Sequence, residues 1–229
     1  MDDHELYERL AAFITPHRRS LFDRSAPLRT RHVTVVLEDI HQSQNASAVV
    51  RTADLLGIQE LHVIESRNRF TMNPDVSLGA NKWIDLMRYR DAADPVGDCI
   101  DHLHAEGYRI VVTLPNEHGH TPDDIPIDRP LAFCFGTELH GLSPALIERA
   151  DMSLRIPMYG FTESYNISVS AAIILYTVMQ RIHRSGQQVA LGAHEQLALK
   201  LRWVRASLRD AERIERRLRD DACDDRTHT

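Results

Sequence analysis

The sequence has few cysteines and no long apolar stretch. Cys99, Cys134 and Cys223 are odd in number and widely spaced, and no CxxC pair or Cys/His quartet accompanies them. Neither a disulfide framework nor a structural zinc site is therefore expected. Apolar runs such as 173–175 fall far short of the roughly 20 residues that a membrane helix needs. Residues 1–20 carry acids where a signal peptide carries basic residues and then an apolar run, so we expect a cytoplasmic protein.

Lysine is almost absent, and acidic residues outnumber basic ones. The net charge of −6 argues mildly against a nucleic-acid partner. The distribution argues the other way, because residues 17–31 contain five arginines and one aspartate, and residues 200–219 contain eight basic and three acidic residues. Both basic segments flank the apolar part of the chain, as expected of a surface that contacts a phosphate backbone. The candidate RNA contacts in the first segment are Arg18, Arg19, Arg29 and Arg31.

Short apolar segments of strand length alternate with helical patterns along the chain. The predicted strands are 31–40, 61–66, 109–114, 131–136 and 152–157. The predicted helices are 4–25, 45–58, 92–106, 143–149, 165–184 and 194–219. This alternation predicts an α/β fold with a parallel sheet and helices on both of its faces. The predicted organisation is a helical, basic arm (1–30), a core domain (31–185), a basic C-terminal helix (186–219) and a disordered tail (220–229).

Polar, glycine-bearing loops follow three of the predicted strands. Ligands of parallel sheets bind beyond the carboxyl ends of the strands, so these loops are the first place to look for a site. Each has a structural alternative when taken alone. Asn45 and Ser164 could be helix N-caps, Arg51 could pair with Asp54 on a solvated helix face, and Glu138 could be an exposed loop acid. The joint pattern at three strand ends favours a functional site instead.

Together these loops resemble the three signature motifs of the SpoU/TrmH family, in the SPOUT superfamily of RNA methyltransferases. The first is NASAVVRTADLLG, from Asn45 to Arg51 and beyond; the second is FGTELHGLS (135–143); the third is IPMYGFTESYNISVSAA (156–172). The segment GANKWIDL (79–86) also resembles a family segment. The match spans roughly residues 30–185. Within the family, the chain most resembles the type that methylates guanosine 18 in the tRNA D-loop, and its N-terminal arm and basic C-terminal helix resemble the flanking segments of that type.

The resemblance implies methyl transfer from S-adenosylmethionine to a ribose 2′-hydroxyl of tRNA. It also implies a deep C-terminal trefoil knot, which general connection rules would not predict, and a homodimer with the active site at the subunit interface. The implied catalytic residues are Arg51, Asn45, Glu138, Ser164 and Asn166. The implied cofactor-binding residues are Thr113, Gly136, Ile156 and Tyr165. No GxGxG loop follows the first strand, which agrees with a cofactor site unlike that of other methyltransferases.

The resemblance implies that Arg51 activates the 2′-hydroxyl and that Asn45 has a positioning role. Because a guanidinium is effectively always protonated, stabilising the developing alkoxide is the less demanding role. The sequence departs from the common family pattern at Gln42-Ser43-Gln44, where the family often has KPH. It departs again at Glu163 and Tyr165, where the third motif often reads QSLN.

Three alternatives accompany this reading. The same chemistry could act on ribosomal RNA or on another tRNA position. The chain could be a non-catalytic RNA-binding protein of the same fold. It could also be a metal enzyme that uses His102 and His104, or His118 and His120. Neither histidine pair has acidic or cysteine partners at metal-site spacing, so we expect no metal.

Overall fold

The computed structural model describes residues 1–91, 93–115 and 119–227, and these form two compact units. The core unit is Thr30–Val189. The flanking unit combines Met1–Arg29 with Ala190–Thr229. His118, one of the alternative metal ligands, lies outside the described residues. In the described part of the chain, no helix is both long and apolar enough to cross a membrane.

The core unit is built on a parallel sheet with strand order β3-β2-β1-β5-β4-β6. Its strands are β1 (Val33–Glu38), β2 (Glu60–Ile64), β3 (Asp85–Tyr89), β4 (Arg109–Thr113), β5 (Leu131–Phe135) and β6 (Met152–Leu154). The parallel α/β prediction is confirmed. β3 was not predicted, because it is an edge strand of mostly partly exposed residues without an apolar run.

The helices of the core unit cover both faces of the sheet. The described helices of the whole chain are α1 (Asp3–Ala11), α2 (Pro16–Ser25), α3 (Ser43–Leu55), α4 (Pro74–Ser77), α5 (Pro95–Ala105), α6 (Pro144–Glu148), α7 (Ile167–Ser185), α8 (Ala193–Ser207) and α9 (Ala211–Thr227). α3 and α7 pack in the apolar cluster on one face, with Val35 of β1, whereas α5 and α6 pack on the other, with Val36. β1 is therefore buried on both faces, which explains its mostly apolar sequence.

The flanking unit differs from its prediction at three points. The predicted helix 4–25 is two helices, because Pro16 begins α2 and the Thr15 hydroxyl caps it by accepting from the Arg18 N–H at 3.2 Å. The predicted helix 194–219 is also two helices, α8 and α9. α9 continues to Thr227 and so includes most of the segment 220–229 for which disorder was predicted. Extending an established helix costs far less than starting one, so a charged, apolar-poor segment can continue it.

Candidate active site

Two cavities meet at the carboxyl edge of the sheet. The large cleft, of about 600 Å³, is formed by the loops after β4, β5 and β6 and by the first turns of α7. The small cleft, of about 360 Å³, lies between the loops after β1 and β5. The second-motif loop forms the wall between them, because Thr137, Glu138, Leu139 and His140 line both. One polar loop thus faces two cavities at once.

Three polar side chains from the three motifs meet in this wall. Glu138 Oε1 accepts hydrogen bonds from Asn45 Nδ2 and from Asn166 Nδ2, both at 2.7 Å. Asn166 Nδ2 also donates to Asn45 Oδ1 at 3.2 Å, and Asn45 Nδ2 donates to Gln42 Oε1 at 3.0 Å. We call Asn45, Glu138 and Asn166 the Asn–Glu–Asn cluster. It joins residues that are 93 and 28 positions apart in the sequence.

Neither Asn45 nor Ser164 is the N-cap of the helix that follows it. α3 begins at Ser43 with Gln42 as its N-cap, and the buried Asn45 amide points to Glu138 instead of capping the helix. Ser164 is not the cap of α7 either. Asn166 takes that position, and its Oδ1 accepts from the Ser168 backbone N–H at 2.9 Å. Asn166 therefore starts α7 and positions Glu138 with the same side chain.

Glycine and a buried acid shape the second-motif loop. Thr137 and Gly141 exchange two backbone hydrogen bonds of 2.9 Å, which brings the turn back against Gly136. A Cβ at Gly136 would collide with the backbone of Gly141. The far end of the loop is held by Glu38, a buried residue whose Oε2 accepts from the Ser143 N–H at 2.8 Å. A charged residue that closes an otherwise apolar strand was the available sequence signal for Glu38, and no role was predicted for it.

We expect Gly136→Ala to lower the free energy of unfolding by about 1–3 kcal/mol, because the new methyl group overpacks the loop against Gly141. Ligand affinity of the large cleft should fall as well, since Gly136 lines it. Thermal unfolding and calorimetric titration measure the two effects. Gly160→Ala is the matched control, because its new Cβ would meet its nearest atom only at 4.0 Å. Equal stability of the two variants would show that the close approach is not required.

The structure places all four predicted cofactor residues around the large cleft, together with the predicted Ser164. All four residues line this one cavity. Thr113 ends β4, Gly136 follows β5, Ile156 lies beyond β6 and Tyr165 precedes α7. The Thr113 hydroxyl donates to the Cys134 carbonyl at 2.8 Å, which ties the end of β4 to β5. The lining combines apolar side chains of β6 and α7 with the polar groups of the loops.

The small cleft contains residues for which no role was predicted. The backbone of Asp39 has a φ of +53°, and its carboxylate accepts from the backbone N–H groups of Arg67 and Asn68, at 2.7 and 3.2 Å. This turn places Asn68 beside the small cleft, together with His41 and His140. Asn68 follows the predicted strand 61–66 and lies outside the three motifs, so nothing in the sequence marked it.

Arg51 is not brought to the Asn–Glu–Asn cluster within one chain. Six residues of helix separate it from Asn45, which turns its side chain about 120° away and moves it about 9 Å along the axis. Arg51 is exposed, and Nη1 lies 3.5 Å from the Val76 carbonyl oxygen, a weak contact. Within the described residues, Arg51 lines neither cleft.

The predicted RNA-contacting arginines have different environments. Arg29 is buried, with its guanidinium 5.3 Å from the ring centroid of Trp203. Arg19 is paired with Glu8 at 2.7 Å. Arg31 is paired with Glu60 and Asp85, at 3.5 and 3.3 Å. Arg18 is exposed. Further exposed arginines lie at the start of α9 and just before it, at Arg209, Arg213, Arg216 and Arg217.

A parallel sheet with clefts at its carboxyl edge and a polar cluster between them defines a ligand-binding α/β protein of the enzyme type. Residues 32–176 match the SpoU rRNA Methylase family. The chain belongs to this family and is a methyltransferase.

Similar proteins agree with this assignment. A tRNA (guanosine(18)-2′-O)-methyltransferase of Borreliella burgdorferi is 42% identical over 206 residues, covering 90% of this chain and 93% of that protein. An enzyme of the same name from Escherichia coli K12 is 30% identical over 158 residues, covering 69% of this chain and 67% of that protein.

Solved structures agree with the fold. The TrmH/SpoU tRNA modifying enzyme of A. aeolicus superposes with a TM-score of 0.75 at 24% identity, over 84% of this chain and 98% of that one. The SpoU methyltransferase AviRb of Streptomyces viridochromogenes, in complex with the cofactor AdoMet, superposes with a TM-score of 0.57 at 26% identity. The superposition covers 72% of this chain and 62% of that one.

Proposed function

We propose that this protein transfers a methyl group from S-adenosylmethionine to the 2′-hydroxyl of guanosine 18 in the D-loop of tRNA. The observation that carries the proposal is the Asn–Glu–Asn cluster, which joins all three family motifs in the wall between two clefts. One cleft then holds the methyl donor and the other receives the nucleotide. The choice of guanosine 18 as the acceptor rests on the names of the relatives from Borreliella burgdorferi and Escherichia coli.

The large cleft fits S-adenosylmethionine. Its volume of about 600 Å³ lies within the 300–1,000 Å³ range of small-molecule sites. Apolar side chains such as Leu142 and Ile156 offer surfaces for a planar base, and Thr113 and Ser164 offer hydroxyl groups. Gly136 lines the cleft with its backbone, because a Cβ at this position would collide with the backbone of Gly141. When bound, the cofactor supplies an activated methyl group.

The chain's own residues then have to position the acceptor and help it lose a proton. Hydrogen bonds from Asn45 and Asn166 fix the Glu138 side chain between the clefts, so the polar surface that contacts the nucleotide is already formed before it binds. Alignment of two reactants can lower a barrier by about 7–11 kcal/mol. Arg51 remains cationic and stabilises the negative charge that develops on the 2′-oxygen.

A second copy of the chain supplies Arg51 in this proposal. Arg51 is exposed and lies outside the clefts of its own chain. Several large apolar side chains of the core unit are also exposed, as expected of a surface that a partner covers. They are Leu55, Tyr159, Phe161, Val169 and Tyr176. A two-fold dimer creates two equivalent sites, each built from both subunits. Family membership further supports a C-terminal knot, and a tRNA substrate supports a cytoplasmic location.

Calorimetric titration of the purified protein with S-adenosylmethionine, followed by methyl-label transfer to RNA, tests the proposal. We expect binding that S-adenosylhomocysteine competes for, and label in unmodified tRNA. Ribosomal RNA belongs in the same experiment, because the family description refers to it. Label in ribosomal RNA alone would replace the proposed substrate, and no label in either RNA would leave binding without catalysis.

The exposed arginines near the start of α9 are proposed to contact the tRNA backbone. We expect Arg213→Gln/Arg217→Gln to weaken tRNA binding and to reduce the slope of log K against log salt by about 1.8, because each phosphate contact contributes about 0.9. Binding titrations between 50 and 200 mM salt, about the range over which such contacts weaken strongly, measure the slope. Arg9→Gln is the control, since Arg9 in the same unit is engaged by Glu5 at 2.8 Å. An unchanged slope in the double variant would assign α9 a purely structural role.

A further inference from the structure

A second polar cluster lies in the core unit, away from both clefts. Glu60 and His62 are two residues apart on β2, so their side chains project from the same face of the sheet. This is the face that α5 covers, and α5 contributes His102. One donor atom of each residue lies within 4.8 Å of the other two. Among the described residues, none of the three lines either cleft.

The hydrogen bonds around His62 orient the cluster. His62 is buried, with Nε2 2.8 Å from Glu60 Oε1 and Nδ1 3.0 Å from the Tyr89 hydroxyl. Glu60 Oε2 is 3.5 Å from Arg31 Nε, so the two carboxylate oxygens have different partners. The rings of His62 and His102 are 5.7 Å apart. Glu60 Oε1 and the imidazole rings of His62 and His102 therefore lie close together. Arg31 and Tyr89 contact the outer side of this cluster, at Glu60 and His62 respectively.

We propose that Glu60, His62 and His102 bind a divalent transition-metal ion, with Zn²⁺ as the best match. Two imidazoles and one carboxylate are a known three-residue zinc set, which leaves a fourth position for water. At metal–ligand distances of about 2.0–2.1 Å, tetrahedral ligand atoms lie about 3.3 Å from one another. Donors already within 4.8 Å reach that geometry by small side-chain rotations.

Tyr89 fits the role of an outer-sphere partner. Histidine ligands usually donate their second ring N–H to a neighbouring acceptor, which fixes the ring. When His62 Nε2 binds the ion, Nδ1–H donates to the Tyr89 oxygen, 3.0 Å away. Without the ion, Nε2–H donates to Glu60 and the Tyr89 hydroxyl donates to Nδ1, so no ring nitrogen loses a partner in either state. The Tyr89 hydroxyl can take either role, because a phenol both donates and accepts hydrogen bonds.

Charge and access also suit a cation. Glu60 supplies the one carboxylate of the cluster, and its Oε1 lies 2.8 Å from the His62 Nε2 atom. Its side chain is 15% exposed and His102 is partly exposed, so an ion can enter from that side.

The position of the cluster assigns the ion a stabilising role. Glu60 is the first residue of β2, at the opposite end of the strand from the carboxyl edge where the clefts lie. An ion there would link β2 to α5, two elements that adjoin in the folded core unit. Because it binds the folded chain only, it raises the unfolding temperature. Spacing along the sequence does not reveal this cluster. His102 does have acidic and histidine partners, but they come from β2, whereas His104 contacts Asp151 at 3.0 Å.

Titration of the EDTA-treated, full-length protein with Co²⁺ and Zn²⁺ tests this site. We expect one equivalent of Co²⁺ to give the visible absorption of a tetrahedral N/O site, and Zn²⁺ to raise the unfolding temperature. Glu60→Gln and His102→Ala should each weaken binding by at least about ten-fold. His104→Ala is the matched control on the same helix and should bind as the wild type does. His62 is left unchanged, because its burial makes loss of folding a confounding result.

Two results would overturn the site. Wild-type protein that shows neither the tetrahedral absorption nor a thermal shift has no such site. Equal affinity in the wild type, Glu60→Gln and His102→Ala would place the ion on other histidines. Methyl transfer, measured with and without EDTA, should be unchanged, which keeps this test independent of the proposed function.

Discussion

Arg51→Ala is expected to reduce methyl transfer to RNA by at least about 100- to 1,000-fold, as removal of a group that stabilises a developing oxyanion does. Affinity for S-adenosylmethionine should be unchanged, because Arg51 does not line the large cleft that we assign to the cofactor. Stability should also be nearly unchanged, since the side chain is exposed and its contact with Val76 is weak. Single-turnover kinetics, calorimetric titration and thermal unfolding separate these three quantities.

The control for this variant is Arg184→Ala, which removes another exposed arginine, in the last turn of α7. It should retain wild-type turnover. Near-normal turnover of Arg51→Ala itself would remove Arg51 from the mechanism. A large loss of cofactor affinity would instead show that Arg51 contributes to the large cleft.

Mixed dimers test whether Arg51 acts across the subunit interface. The test uses a dimer of one Arg51→Ala subunit and one Glu138→Gln subunit. If each site combines Glu138 of one subunit with Arg51 of the other, this dimer has one intact site and one site in which both residues are replaced. Its activity should be about half that of the wild-type dimer, because a two-fold dimer has two equivalent sites. If Arg51 acts within its own chain, both sites of the mixed dimer are defective and the preparation stays inactive. Differently tagged subunits, purified in tandem, provide the dimer.

Asn166→Asp is expected to reduce turnover by about 100-fold, which corresponds to about 2.7 kcal/mol of barrier. The substitution replaces a donor at 2.7 Å from Glu138 Oε1 with a second carboxylate. Aspartate is as good an N-cap as asparagine, so α7 should still begin at the same residue. The loss should therefore appear in turnover much more than in the unfolding temperature.

The pH dependence of this variant has a defined sign. Two adjacent carboxylates repel, so one of them takes up a proton as the pH falls, and the protonated acid can again donate a hydrogen bond. Relative to the wild type, the activity of Asn166→Asp should rise as the pH is lowered. The double variant Asn166→Asp/Glu138→Gln should recover part of the loss at neutral pH, because the glutamine amide donates to the aspartate. A variant as active as the wild type at every pH would show that the cluster does not position the reactants.

The sequence was sufficient to predict the parallel sheet and to direct attention to the edge of the sheet where the two clefts lie. Mostly apolar runs in β1 and β5 are the signature of strands buried on both faces. The three motifs follow strands whose carboxyl ends share one edge, so their convergence was predictable. The partners of each side chain were not, because periodicity does not report that Asn45 turns towards Glu138, 93 residues later.

Other features depended on contacts that no local pattern encodes. β3 forms because β2 offers an edge to pair with, in the register that places Glu60 beside Asp85. Arg29 belongs to a basic segment, yet it is buried against Trp203, and charge density along the sequence does not report this burial. The cluster of Glu60, His62 and His102 joins residues 40 positions apart in the sequence, beyond the reach of spacing rules for metal ligands.

Site mapping of the methyl group in tRNA tests the central proposal most directly. The protein is incubated with unmodified bulk tRNA and labelled S-adenosylmethionine, and the products are analysed by nucleoside mass spectrometry and fragment mapping. The account predicts 2′-O-methylguanosine at position 18, and no product when that nucleotide carries a 2′-deoxyribose. A methyl group on a base, or transfer that persists on the deoxyribose substrate, would contradict it.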